Sequence, residues 1–181
     1  MEFESKTLSR SIQDALYHNH HSLGVAESCT GGRVAEAIIS TPGASNYFKG
    51  GIISYTNEVK ERLLGVSHEV LETQTAVSEE VARQMVIGAC KTLDCDYALA
   101  VTGTAGPTGG TEAIPVGTIW LAWGNGDEVM THKLTEDYGR DINLAIATST
   151  LLRLFLEYYQ AKFPLRLEEV DVLGDGTNDQ R

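Results

Sequence analysis

Apolar and polar positions recur along this chain with two periods, and the switch from one to the other marks its elements. Residues 8–21 carry Ile12, Ala15 and Leu16 at helical spacing and end in the polar run His18-Asn19-His20-His21, which predicts an N-terminal helix. Leu23-Gly24-Val25-Ala26 reads as a short buried strand and Thr30-Gly31-Gly32 as a turn. The stripe Val34, Ala35, Ala37, Ile38 and Ile39 marks the helix that follows. After the breaker Thr41-Pro42-Gly43, residues 51–55 predict a second strand that runs into a helix over 57–64, closed by Gly65. Ser78 as N-cap, acidic Glu79 and Glu80, and apolar Val81, Met85, Val86 and Ala89 predict a long helix to Leu93. Residues 97–101 form a third strand, and 116–123 and 128–134 flank Gly124-Asn125-Gly126-Asp127 as a hairpin. A last helix spans about 141–163 and stops at Pro164.

Strands that alternate with helices and then give way to a hairpin predict one α/β domain, an α/β/α sandwich with a mixed β-sheet, over residues 1–163. Residues 164–181 are acidic and poor in apolar side chains, and are expected to form a loosely ordered tail. Ligands of such folds gather at the C-terminal ends of strands. The glycine-rich turns after Ala26 and after Val101 are therefore the places to look for a site.

Composition narrows the function classes. The net charge of −11 argues against a nucleic-acid partner, because that contact needs Lys and Arg to neutralise phosphates. One small anion remains compatible with it, since a local group of backbone N–H donors and one cation suffice. The chain shows no long apolar run and no basic-then-apolar leader pattern, so a cytoplasmic protein with no membrane partner is expected. Cys29, Cys90 and Cys95 form neither an even disulfide set nor a metal pair, which suits a reducing compartment. The histidines at 18, 20 and 21 lack a matching carboxylate and read as a solvated helix end, so no metal is expected.

Ser28 falls between a strand and a helix start, where unpaired N–H groups could stabilise an oxyanion while the hydroxyl attacks a carbonyl. Equally, Ser28 or Thr30 could simply cap the helix. No histidine is placed to act as its base. Tyr55, at the predicted end of the second strand, and Lys60, one turn into the next helix, could both reach it. A lysine serves as a base only where burial favours its neutral form. The alternative leaves Lys60 in water beside Glu58 and Glu61. The loop over 102–110 has neither phosphate-loop nor dinucleotide-fold spacing. It reads as an anion- or ribose-binding concavity or as a structural turn.

Several segments together resemble the CinA-like family, known also as the C-terminal domain of competence-damage-inducible protein and as nicotinamide-nucleotide amidase. They are Ala26-Glu27-Ser28-Cys29-Thr30-Gly31-Gly32, Ser54-Tyr55-Thr56-Asn57-Glu58-Val59-Lys60, Ala76-Val77-Ser78-Glu79-Glu80-Val81, Thr102-Gly103-Thr104-Ala105-Gly106-Pro107 and Pro115-Val116-Gly117-Thr118. The resemblance implies hydrolysis of nicotinamide mononucleotide to nicotinic acid mononucleotide and ammonia, with no metal or cofactor. It maps the nucleophile to Ser28 and its activating partners to Tyr55 and Lys60. Substrate binding is expected from Thr30, Gly31, Gly32, Thr102, Gly103, Gly106 and Arg140. The chain departs from the family at Thr104, where an aliphatic residue is usual, and at Tyr138-Gly139-Arg140-Asp141, where Gly-Asp-Arg is common. The resemblance also favours a homo-oligomer, and a domain that stands alone here though many relatives carry it behind a larger N-terminal domain. A nucleotide-binding or regulatory domain without turnover is the competing reading.

Overall fold

Alternation within the strands decides the layering. In β3 (Tyr97–Gly103), Tyr97, Leu99 and Val101 face one apolar cluster, while Ala98 and Ala100 face another. β1 (Leu23–Glu27) and β4 (Ile119–Gly124) divide the same way: Leu23, Val25, Ile119, Leu121 and Trp123 point to the bulky side, Ala26 and Ala122 to the small side. A sheet filled on both faces must be covered on both. The bulky face is covered by α1 (Glu2–His18), α2 (Arg33–Ile39) and α6 (Arg140–Lys162), which supply Ile12, Leu16, Ile38, Leu151 and Phe155. The alanine face lies under α3 (Asn57–Leu64), α4 (His68–Gln74) and α5 (Glu79–Leu93). This computed structural model describes residues 2–164, so the expected tail lies outside the described residues apart from Pro164.

With β2 (Phe48–Ile53) and β5 (Val129–Leu134) the sheet has five strands in the order β2-β1-β3-β4-β5. β2, β1 and β3 run parallel, and β3, β4 and β5 are antiparallel neighbours, which gives the expected mixed sheet. Glu27 stands opposite both Ile53 and Val101, so the C-terminal ends of the three parallel strands are level. Ser28, Ser54 and Thr102 therefore emerge side by side. No helix among the described residues is long and apolar enough to cross a membrane.

Local chemistry explains most boundaries. Ser78 accepts a hydrogen bond from Val81 N–H and starts α5, and Thr56 does the same for α3 through Val59. α5 can lie against the end of α3 because residue 88 is glycine: a Cβ there would sit 1.9 Å from the Leu64 carbonyl oxygen. Three expectations change. β2 begins at Phe48 and ends at Ile53, which leaves Ser54 and Tyr55 beyond the strand, since pairing with the five residues of β1 limits its length. α4 is additional; it turns on a Ser67 cap and buries Leu71, too little for a periodic signal. Finally, α1 stops at His18, and His21 is not a solvated helix end: it packs edge-on against Tyr97, Tyr159 and Phe163, with Nδ1 2.6 Å from the Tyr159 hydroxyl.

Candidate active site

Ser28 is the first residue past β1, and its N–H donates to Val101 O at 2.9 Å, which ties it to the end of β3. Its side chain is buried but borders a cavity. Lys60 lies one turn into α3 and is 1% exposed; its chain runs back beneath the strand ends. Its Nζ is 3.0 Å from Ser28 Oγ and 2.7 Å from Ser54 O. The neighbouring carboxylates are engaged elsewhere, Glu58 with Arg62 and Glu61 with His68. Burial without a counter-charge penalises the ammonium form and lowers the Lys60 pKa to about 8, against a small opposing effect of Cys29. A neutral Lys60 can accept the Ser28 proton while still donating to Ser54 O. The solvated pose beside Glu58 and Glu61 is not adopted.

The turn after Ser28 is held by a residue that the sequence reading passed over, the last of β1. Glu27 is 1% exposed, and its carboxylate accepts hydrogen bonds from Gly32 N (3.0 Å), Val34 N (3.1 Å) and Ala35 N (2.8 Å). It thus occupies the positive end of α2, whose N-cap, Gly32, has no side chain to do so. The expectation of free N–H groups is corrected accordingly at Gly31 and Gly32. Gly31 N also bonds Ser28 O, and Arg33 N bonds Thr30 O. Thr30 Oγ1 is buried without a described partner, and none of Thr30, Gly31 and Gly32 borders the cavity. Gly31 and Gly32 serve the turn itself, at φ +58° and +108°. Cys29 does border the cavity, but burial pushes its thiol up to about 12, so it is a neutral wall and no nucleophile.

The cavity has a volume of about 310 Å³, with Ser28, Cys29 and Lys60 on one side and residues 102–106, 108 and 109 on the other. Its glycine-rich wall is fixed from behind. Thr102 Oγ1 donates to Ala76 O at 2.7 Å, and Asn143, buried near the start of α6, donates to Ala105 O at 3.1 Å and to Asp137 at 2.8 Å. A Cβ on Gly106 would lie 2.4 Å from Val116 Cγ1, so this position has no room for a larger residue. Arg140 borders the cavity from the first turn of α6 and donates to Gly106 O at 2.9 Å. Tyr55 borders it too but is 60% exposed, and among the described residues its hydroxyl has no hydrogen-bond partner. Lys60 is buried against the strand ends, with Nζ bonded to Ser28 Oγ and Ser54 O rather than to the Tyr55 hydroxyl. Two larger hollows, about 470 and 500 Å³, lie beside Lys6 and Arg33 and beside His20 and Asp96. In the second, Ser22 Oγ donates to Asp96 at 2.7 Å, but that carboxylate oxygen also accepts Ser22 N–H and ties a turn, so the serine paired with a buried amine, rather than size, selects the smaller cavity. Among the described residues no group of three or more His, Cys, Asp or Glu could hold a metal ion.

Of the residues expected at the site, the structure gathers Ser28, Lys60, Tyr55, Thr102, Gly103, Gly106 and Arg140 around one cavity. Those the sequence reading missed are Glu27, Ser54 and Asn143. Glu27 had a local signal, an acidic residue ending an apolar strand ahead of a helix whose cap position is glycine.

The family model described as CinA C-terminal domain matches residues 5–159. The chain is 43% identical over 135 residues to the nicotinamide-nucleotide amidohydrolase PncC of Pseudomonas putida, covering 75% of this chain and 84% of that protein. It is 41% identical over 160 residues to a CinA-like protein of Shewanella denitrificans, 85% of this chain but 38% of that longer protein. Among solved structures, the competence/damage inducible protein CihA of Agrobacterium tumefaciens superposes with a TM-score of 0.82 at 35% identity, covering 85% of this chain and 94% of that one. A CinA superfamily protein of Klebsiella pneumoniae gives 0.83 at 29% identity, covering 87% and 98%.

Proposed function

This chain belongs to the CinA C-terminal domain family, and from that premise we propose that it is a nicotinamide-nucleotide amidohydrolase that converts nicotinamide mononucleotide to nicotinic acid mononucleotide and ammonia. The observation that carries the reading is the 3.0 Å contact between Ser28 Oγ and a buried Lys60 with no ion-pair partner among the described residues. The similarity to a named amidohydrolase over most of that protein's length supplies the substrate class.

In this reading Ser28 Oγ attacks the carboxamide carbon as its proton passes to neutral Lys60. The oxyanion that forms lies beside Cys29, the residue after Ser28 that borders the cavity, whose backbone N–H is the donor at hand. The Lys60 ammonium then returns its proton to the amide nitrogen, the C–N bond breaks, ammonia leaves, and the acyl group remains on Ser28 as an ester. Water attacks the ester, Lys60 takes the water proton and gives it back to Ser28, and the carboxylate product is released. Arg140, exposed at the cavity edge, is the cation for the substrate phosphate, because the positive end of α2 is already taken by Glu27. Tyr55 stands exposed at the cavity mouth, where it can contact bound substrate.

Incubation with nicotinamide mononucleotide, with ammonia and the acid product both measured, tests the proposal. Stoichiometric release of the two supports it. Saturable binding of the nucleotide without either product would instead establish a binding domain.

A further inference from the structure

We propose that Glu27 is the positioning residue of this site, the group that sets Ser28 Oγ and Lys60 Nζ at reacting distance; the inference rests on the amidase reading and extends it. A buried carboxyl group needs hydrogen-bond donors in place of the lost water. Glu27 has three such donors, one at the N-cap of α2 and two in its first turn. The four residues from Ser28 to Gly31 therefore form a loop closed at both ends by one amino acid, at β1 by its backbone and at α2 by its side chain. An ordinary cap at position 32 would start the helix equally well without spanning the nucleophile. This one reaches across it.

The backbone of the same residue reaches the base. Glu27 O accepts Ser54 N–H at 2.7 Å, and Ser54 O is the acceptor, also at 2.7 Å, that holds Lys60 Nζ. Nucleophile and base thus share one fixed point. Glu27 does not border the cavity, whereas Arg140 and the glycine-rich wall do. Loss of its carboxylate should therefore disturb the alignment of Ser28 and leave nucleotide binding in place.

The test uses Glu27→Gln, which keeps the shape and one acceptor oxygen, and Glu27→Asp, which keeps the charge but falls one methylene short. Three quantities are measured for each: turnover of nicotinamide mononucleotide, nucleotide affinity by calorimetry, and the rate at which a fluorophosphonate labels Ser28, followed by peptide mass spectrometry. The inference expects labelling and kcat to fall at least tenfold in both variants while affinity stays within threefold. Labelling at the wild-type rate in either variant that still binds nucleotide overturns it. So does a parallel loss of labelling, affinity and melting temperature in both, which would reduce Glu27 to a fold-stabilising cap. Wild-type labelling at Ser28 without amide turnover would count against the substrate alone, and the labelling comparison would still decide the role of Glu27. A wild-type protein that is not labelled at Ser28 refutes the parent reading and this inference with it.

Discussion

Replacing Lys60 by arginine keeps the positive charge and removes the ability to give up a proton, which makes it the sharpest probe of how Ser28 is activated. With its pKa lowered from 10.5 to about 8, Lys60 is neutral in about a tenth of molecules at pH 7. An unperturbed lysine would be neutral in only about 0.03%. Activity that needs the free amine should therefore rise about tenfold per pH unit up to about pH 8 and then level off. General-base help is typically worth ~10²–10⁴ in rate, or about 3–5 kcal/mol of transition-state stabilisation. Lys60→Arg and Lys60→Met should thus both lose at least ~10²-fold in kcat/KM. The assay is continuous ammonia release between pH 6 and 9.5, with nucleotide binding measured in parallel to confirm that the cavity survives. An arginine variant that keeps more than a tenth of wild-type activity, or a wild-type profile flat across that range, would refute the assignment of Lys60 as base.

Three further outcomes follow from the geometry. A lysine whose folded pKa lies below its unfolded one destabilises the fold fully below the folded value, and the penalty fades as pH rises towards the unfolded value. Relative to Lys60→Met, chemical denaturation should show the wild type gaining about 3 kcal/mol between pH 8 and 10.5, and a pH-independent difference would contradict it. Arg140→Ala should raise KM for the mononucleotide about tenfold with kcat nearly unchanged, as loss of one exposed charge-assisted contact implies. Turnover of nicotinamide riboside, which lacks the phosphate, should not respond, and an equal loss for both substrates would remove the phosphate role. Tyr55→Phe should cost less in kcat/KM than Lys60→Met, because the hydroxyl stands at the cavity mouth; the reverse order would make Tyr55 the more important activator.

What the sequence disclosed depended on whether the deciding interaction was local. Ser78 with Glu79 and Glu80 fixes the start of α5 within four residues, and it was readable. Ser54 and Tyr55 suit a strand and Lys49 and Gly50 do not, which shifts the predicted β2 towards its C-terminal end, while its real limits come from pairing with Leu23–Glu27. The two faces of β3 follow from simple alternation, yet which face is bulky matters only once α5 lies on the alanines. For Lys60 the local sequence pointed the wrong way, since Glu58 and Glu61 flank it. Its side chain turns inward because α3 begins where β2 ends, at a strand end level with Glu27. Thr30, Gly31 and Gly32 were read as donors to substrate because a helix start leaves N–H groups open. Gly31 N–H turns to Ser28 O instead, and the buried carboxylate that takes Gly32 N–H comes from five residues upstream of the cap, beyond the reach of ordinary cap patterns.

Ammonia release from nicotinamide mononucleotide by Ser28→Ala, set beside the wild type at pH 8, tests the central claim most directly. Removing the hydroxyl takes away the only atom proposed to bond to the carboxamide carbon, and it leaves Lys60, Arg140 and the cavity wall in place. The account predicts that nucleotide affinity is retained and that turnover falls by three orders of magnitude or more, about 4 kcal/mol or greater. A Ser28→Ala protein that releases ammonia at the wild-type rate would contradict it.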